Sequence, residues 1–457
     1  MLFQSPVGLM SVSNGAPVTY CEANNSLNEP LLRNTFYMDH MTSQTRERTY
    51  GRSVHTKGAG AFGYFEVTHD ISHICKASFL SEVGKKTPVA VRFSPATGEV
   101  GGSDLERGAR GFAIKFYTDE GNFDLPGLNM PMFFIKDPAM FAKFVYSLRK
   151  DPALYLFNPM GLWDIIIANP AALSMFLLVF GDRGIPASYR HMAGYNLHTL
   201  QVENAQGVQS FMRWTYTPRA GVKGLGTAEA QKIKLVDLDY YSRDLFESIK
   251  TGDYPCWEMG VQIVTEEDVK RCGYGVFDIM RKLNETEFPL HPVGEMCLNR
   301  NPKNYFSEIE QLAFCPANLV NGIHGAPDRM YEARRLAYKD AQLRRLGPDV
   351  DNIPVNCPLH VSSDNPDSRD GAVGYESTQR TGLIKIIEEE PYTFDQAAHY
   401  YVNELSSEER DRTIETIISM LTPAGSSVQE QMIELFTTVS PELGSRVAEG
   451  LSATKTK

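Results

Sequence analysis

Runs of aromatic and β-branched residues punctuated by turn residues dominate the first two thirds of the chain. GAFGYFEV (60–67) has the composition of a strand, and VAVRFS (89–94), GFAIKFYT (111–118) and MPMFFI (130–135) repeat the signal. HTLQVEN (198–204) and SFMRWTYT (210–217), separated by AQGVQ, predict a hairpin, and WEMGVQIV (257–264) predicts another strand. Strands at such short intervals point to an antiparallel β-barrel. Helical patches interrupt them at AMFAKFVYSLRK (139–150) and from Pro170 onward. From Asn301 to Glu390 the pattern is irregular and rich in Pro, Asn and Asp, apart from one clear helix at 328–347. That stretch is too long for a loop and reads as a wrapping segment. After Phe394 helical apolar spacing returns in FDQAAHYYVNEL, SSEERDRTIETIISML and SVQEQMIELFTTV, with Ser406 and Glu409 placed as a capping box. Before about Thr49 the chain is polar and irregular, as NGAPV and NNSLNEP show. The expected organisation is α+β: an N-terminal arm (1–50), a β-barrel domain with inserted helices (51–300), the wrapping segment (301–390) and a C-terminal helical domain (391–457).

Composition narrows this. A chain of 457 residues, 42% hydrophobic and 22% charged, can bury a large core and is not a disordered chain. A net charge of −11 argues against nucleic acid as a partner. Seven scattered cysteines without a CxxC pair rule out a zinc ribbon and predict reduced, mostly buried thiols in an intracellular protein. MLFQSPVGLM lacks the basic start of a signal peptide. The most apolar stretch, Leu162 to Phe180, contains Asp164, Asn169 and Pro170, and so predicts two packed segments with no membrane span. The ending Lys455-Thr456-Lys457 is not a Ser-Lys-Leu peroxisomal address, which leaves cytoplasm and peroxisome both open.

Three constellations could carry chemistry. Gly58, Gly60 and Gly63 formally fit GxGxxG, with Glu82 downstream, but YFEV follows where a dinucleotide loop would open a helix. These glycines read better as points of close backbone approach. Arg334 and Tyr338 stand one helical turn apart and share a face. A phenolate held by a guanidinium is an anionic ligand suited to ferric iron, and tyrosine is one way of holding haem; the same spacing is also ordinary on a surface helix. His55 can shuttle a proton between two oxygens, while Asn129 can donate to one of them without competing for the proton.

The runs around these residues resemble the haem catalase family. RSVHTKGAGAFGYFEVTHDI (52–71) is similar to the family's distal-histidine motif, GNFDLPGLNMPMFFIKDP (121–138) to its distal-asparagine segment and RRLAYKD (334–340) to its proximal-tyrosine motif. VRFSPATGEVGGSD (91–104), DRGIPASYRHMAGY (182–195), PVGEMCLNRNPKNYFSEIEQLAF (292–314) and IPVNCP (353–358) follow in family order. The resemblance implies the catalase fold, an eight-stranded antiparallel β-barrel with inserted helices, a wrapping segment and a C-terminal helical region. It implies haem, of b type in the family's usual form, with Tyr338 as axial ligand of the iron and Arg334 keeping it ionised. His55 and Asn129 become the peroxide-handling pair, with Ser94 supporting His55. Arg52, Arg92 and Arg345 match the arginines of the haem propionates, Phe141 the ring-stacking phenylalanine and Asp104 an acidic residue of the main channel.

Departures from the family shape the expected activity. At the positions of the family's NADPH site stand Ser174, Leu178, Gly181, Ala193, Thr217, Leu283 and Glu285, and Arg183 alone keeps its type. That site is expected to be lost, with its apolar face turned to a partner, a membrane or an organic substrate unless it has simply drifted. Ala96 replaces a channel valine, Leu128 an asparagine, and Lys339 follows Tyr338 where proline is usual, whereas Val54 is as in catalases. The segment SRDGAVGYESTQ is shorter than its family counterpart. These changes resemble the catalase-type enzymes of fungal ergot-alkaloid pathways. The leading expectation is therefore a haem oxidoreductase that uses peroxide or superoxide to cyclise an indole-type organic substrate. The alternatives are an ordinary catalase converting hydrogen peroxide to water and oxygen, and a haem-binding protein without turnover. Catalase ancestry also implies a homo-oligomer, a dimer or a tetramer.

Overall fold

Eight strands close into an antiparallel barrel in the computed structural model, which describes residues 10–18, 34–46, 51–96, 100–147, 150–357 except 152, 155, 157 and 159, and 393–455. The strands of the nine-stranded sheet that holds the barrel are β1 (Ala59–Val67), β2 (Lys86–Pro95), β3 (Arg110–Thr118), β4 (Gly121–Leu128), β5 (Gly194–Tyr195), β6 (Leu200–Glu203), β7 (Gln209–Pro218), β8 (Cys256–Val264) and β9 (Leu290–Arg300); Met10–Ser11 and Pro17–Val18 pair separately. Their order is β8-β9-β1-β2-β3-β4-β5-β7, and pairing of β7 with β8 closes the ring. The strand β6 lies outside the ring as a hairpin partner of β7, as the sequence predicts. Gly63 shows why glycine recurs in β1: a Cβ there would stand 1.9 Å from the Cys297 carbonyl oxygen on β9. Inward-facing Phe65, Phe93, Phe112, Phe116, Trp214 and Trp257 fill the interior. Offset and edge contacts join several of these rings, such as Phe93 with Phe112 at 4.6 Å between centroids.

The helices are α1 (Thr35–Arg46), α2 (Pro138–Ser147), α3 (Gly161–Ala168), α4 (Leu173–Phe180), α5 (Thr227–Lys234), α6 (Tyr240–Thr251), α7 (Glu266–Cys272), α8 (Arg329–Leu346), α9 (Asp395–His399), α10 (Ser407–Leu421), α11 (Ser426–Val439) and α12 (Pro441–Lys455). A second core forms where α4, buried along its whole length, meets the C-terminal helices. The capping box of Ser406 and Glu409 starts α10 as expected. The apolar stretch splits into α3 and the segment Pro170–Phe180, bent by 113°, and among the described residues no single helix is long and apolar enough to cross a membrane.

Three expectations are corrected. MPMFFI is not a strand: Met130, Met132, Phe134 and Ile135 are buried in irregular backbone beneath the C-terminal helices, where an apolar run needs no alternation. The strand in this region is β4, which carries Asp124 and Pro126; Asp124 is tolerated because Lys115 of β3 pairs with it at 2.8 Å inside the protein. The cysteines are not all free thiols, because Cys256 and Cys297 are register partners on β8 and β9 and form a disulfide. Cys75 and Cys315 are buried free thiols, Cys272 and Cys357 are free and partly exposed, and Cys21 lies outside the described residues. Much of the arm, the SRDGAVGYESTQ segment and the last two residues also lie outside them.

Candidate active site

Strand register assembles the imidazole part of the site. Ser94 of β2 is paired with Gly111 of β3, which is paired with Leu128 of β4, and Asn129 follows directly. His55 enters from the chain just before β1, its N–H donating to the Ala96 carbonyl at 3.2 Å. It has φ +60°, a left-handed conformation that no other non-glycine residue among those described adopts. Its Nδ1 lies 3.0 Å from Ser94 Oγ. Burial first, and the Arg92 charge second, pull its pKa down to about 4, so the ring is neutral near pH 7. Asn129 is buried; its Oδ1 accepts from the Arg110 amide at 2.7 Å and its Nδ2 donates to the Arg183 carbonyl at 3.0 Å. One N–H of that amide group remains to donate elsewhere.

Helix α8 assembles the phenol part. Asp328 caps its N-terminus, Oδ1 accepting from the Tyr331 amide at 2.8 Å. One turn apart, Arg334 Nη2 donates to Tyr338 Oη at 2.9 Å and to the Pro126 carbonyl at 2.8 Å. The other terminal nitrogen, Nη1, donates to His198 Nε2 at 2.7 Å. Because Nε2 accepts, Nδ1 of His198 carries the proton and donates to Asp328 Oδ2 at 2.8 Å. Burial pulls the His198 pKa down against the opposing pull of Asp328, and both side chains are buried. His198 and Asp328 escaped the sequence analysis. They stand 130 positions apart, and no spacing links them.

A third group gathers the arginines. Arg52 donates to the carbonyls of Ile309, Glu310 and Leu312 and to Glu310 Oε1 at 3.1 Å. Arg345 reaches the carbonyls of Glu310 and Leu312 as well. Arg92 donates to the carbonyls of His55 and Thr56, and its buried Nε has no partner. Burial, then the charges of Arg92 and Arg345, hold Arg52 well below its ordinary pKa. Arg52 and Arg345 thus share the charge of one carboxylate, Glu310, and both lie in the field of Arg92.

The remaining expected residues are more dispersed. Phe141 lies on α2, with 37% of its surface exposed, and α2 packs on α8. Asp104 is fully buried: Oδ2 accepts from the Ser242 amide and hydroxyl, Oδ1 has no partner, and burial raises its pKa. Ser174, Leu178, Ala193 and Leu283 are buried, and a Cβ on Gly181 would stand 2.8 Å from Tyr400 Oη. The chain's own C-terminal region therefore covers this face of α4, and Arg183 donates to Tyr195 Oη at 3.0 Å.

Crowded guanidiniums with an unpartnered buried N–H call for an anion, and haem brings two propionates; the phenol of Tyr338, which accepts from Arg334, is of the residue type that can hold its iron. The residues present fit that cofactor, and the class is a haem oxidoreductase. The Catalase family profile matches residues 11–403, and a second profile, described as Catalase-related immune-responsive, matches residues 388–451. The chain belongs to the catalase family. It is 38% identical to a catalase of Drosophila melanogaster, covering 98% of this chain and 95% of that one. It is 39% identical to a catalase of Mus musculus, over 91% and 84%. Among solved structures, catalase A from Saccharomyces cerevisiae is similar with a TM-score of 0.85 at 32% identity, covering 98% of this chain and all of that one. A bacterial catalase has a TM-score of 0.87 at 30% identity, over 98% and 96%.

Proposed function

We propose that the protein is a catalase that converts two molecules of hydrogen peroxide to two of water and one of oxygen, with haem b as cofactor. The observation that carries this reading is the neutral His55, held at Nδ1 by Ser94. With its Nδ1 proton donated to Ser94 Oγ, the ring keeps Nε2 free as a base. His55 then takes a proton from one peroxide oxygen and returns it to the other, while the free N–H of Asn129 orients the peroxide. Bound haem supplies the redox chemistry of its iron. The Tyr338 phenol would hold the iron, and Arg334, set by His198 and Asp328, keeps a donor on its oxygen. Arg52, Arg92 and Arg345 would hold the propionates and Phe141 would pack on the ring, while Asp104, buried with one unpartnered oxygen, would serve as the acidic residue of the channel. Haem b fits a sequence without a CxxCH attachment run.

Specialised oxidation of an indole-type substrate receives no support. Of the departures that suggested it, Ser174 and Leu178 fall on α4, where the C-terminal helices of the same chain pack. The same covering argues against NADPH at that place. A homo-oligomer, dimer or tetramer, is part of the proposal; Leu235, Val236 and Leu336 are each at least 75% exposed and offer apolar contact. The test is an oxygen electrode with purified, haem-loaded protein. One oxygen per two peroxides, released without any organic donor, is the expected result. Peroxide consumption that requires a donor and releases no oxygen would refute it.

A further inference from the structure

We propose that Gly111 is a positioning residue for the proton carrier: its missing side chain is the space in which the His55 ring and the Ser94 hydroxyl meet. The inference rests on the reading of His55 as that carrier. Gly111 is buried in β3 between Ser94 and Leu128 and is not among the glycines with positive φ, so the path of the chain does not demand glycine there. Space demands it. A Cβ on residue 111 would lie 2.8 Å from Ser94 Oγ, 3.0 Å from His55 Nδ1 and 3.1 Å from His55 Cε1. Its nearest neighbours are therefore the two atoms of the Ser94–His55 contact and the ring carbon beside them.

A methyl group at this point has to displace one partner from the other. The Ser94 hydroxyl can rotate away, which releases Nδ1. The imidazole cannot follow by moving its backbone: the His55 N–H is bound to Ala96, its carbonyl accepts from Arg92, and its φ is already +60°. The ring has to turn about its own side-chain bonds, which re-aims Nε2. Gly111 touches no peroxide in this scheme and acts through His55.

The experiment compares haem-loaded Gly111→Ala with Ser94→Ala, the double variant and His55→Ala. Gly111→Ala is expected to keep its haem absorbance and to lose roughly 10- to 100-fold in turnover, the scale of a misplaced catalytic group. Because both single variants break one contact, the double variant is expected to lose little more than the worse single one. A purely structural role predicts multiplied losses, and that result would overturn the proposal, as would full turnover in Gly111→Ala. If Gly111→Ala fails to take up haem, adding Ser94→Gly removes the nearest clashing atom and should restore uptake; no restoration would also overturn it. Undiminished turnover in His55→Ala would instead remove the underlying reading, and the proposal with it. Loss there beside an unaffected Gly111→Ala would overturn the proposal alone.

Discussion

The two halves of the site are built on different principles. The imidazole half comes from strands: Ser94, Gly111 and Leu128 lie abreast, and adjacency is set by register over short chain distances. It has a neutral base set against the buried Ser94 and beside the buried Asn129. The phenol half runs from Tyr338 through Arg334 and His198 to Asp328, a charged relay that joins a helix to the chain just ahead of β6. Register makes the first half sensitive to volume, as the space left at Gly111 shows. The relay makes the second half sensitive to charge, because removing one member leaves a buried polar group unpaired.

The largest effect should fall on the phenol half. Tyr338→Phe deletes the proposed iron ligand and is expected to abolish haem retention through gel filtration; a variant that elutes with full haem absorbance would show that the phenol is dispensable. Next, His55→Ala removes the base of the other half and should cost about 100- to 10,000-fold in oxygen release while haem uptake persists. Should haem uptake fail as well, the halves are not separable as described.

Asp328 separates charge from capping on the helix side. Asp328→Ala uncaps α8 and leaves the His198 proton unpaired, for an expected destabilisation of about 2–3 kcal/mol read from denaturant melts. Asp328→Asn keeps a capping oxygen and should recover most of that stability, although it removes the charge at the end of the relay. If both variants melt alike, the cap contributes nothing and the relay explanation needs revision.

This contrast also explains what the sequence could reveal. The residues to which the proposed function gives chemistry, His55, Ser94, Asn129, Arg334 and Tyr338, sit in runs distinctive enough to read, as do the three arginines. His198 and Asp328 do not, because each passes for ordinary structure: one opens a strand and the other caps a helix. The strand Gly121–Leu128 was hidden by Asp124 and Pro126, which mimic a turn until Lys115 is seen across the ladder. MPMFFI misled in the opposite sense, since a short apolar run satisfies a buried irregular segment as well as a strand. The apolar α4 looked like a surface awaiting a partner, and only the folded chain shows that its own C-terminus is the partner.

The finest distinction between the halves is in pH. Burial and then the Arg92 charge set the His55 pKa at about 4, below its ordinary 6.5. A base works only when unprotonated, so turnover should stay level as pH falls from 7 and drop through about 4. The same shift bears on stability: between 6.5 and 4 the unfolded chain binds a proton that the folded chain refuses, so this group costs stability progressively as pH falls through that window. Removing one of the causes should move the limb in a known direction. Arg92→Gln takes away the charge that most strongly disfavours the imidazolium, so the acid limb should rise toward 6.5 by a fraction of a unit, read from initial oxygen release in haem-loaded protein. Arg345→Gln is the matched control, because Arg345 bears on Arg52 and is not among the charges that act on His55. A limb that moves equally in both variants would mean that haem attachment, and not the field at the imidazole, governs the acid side.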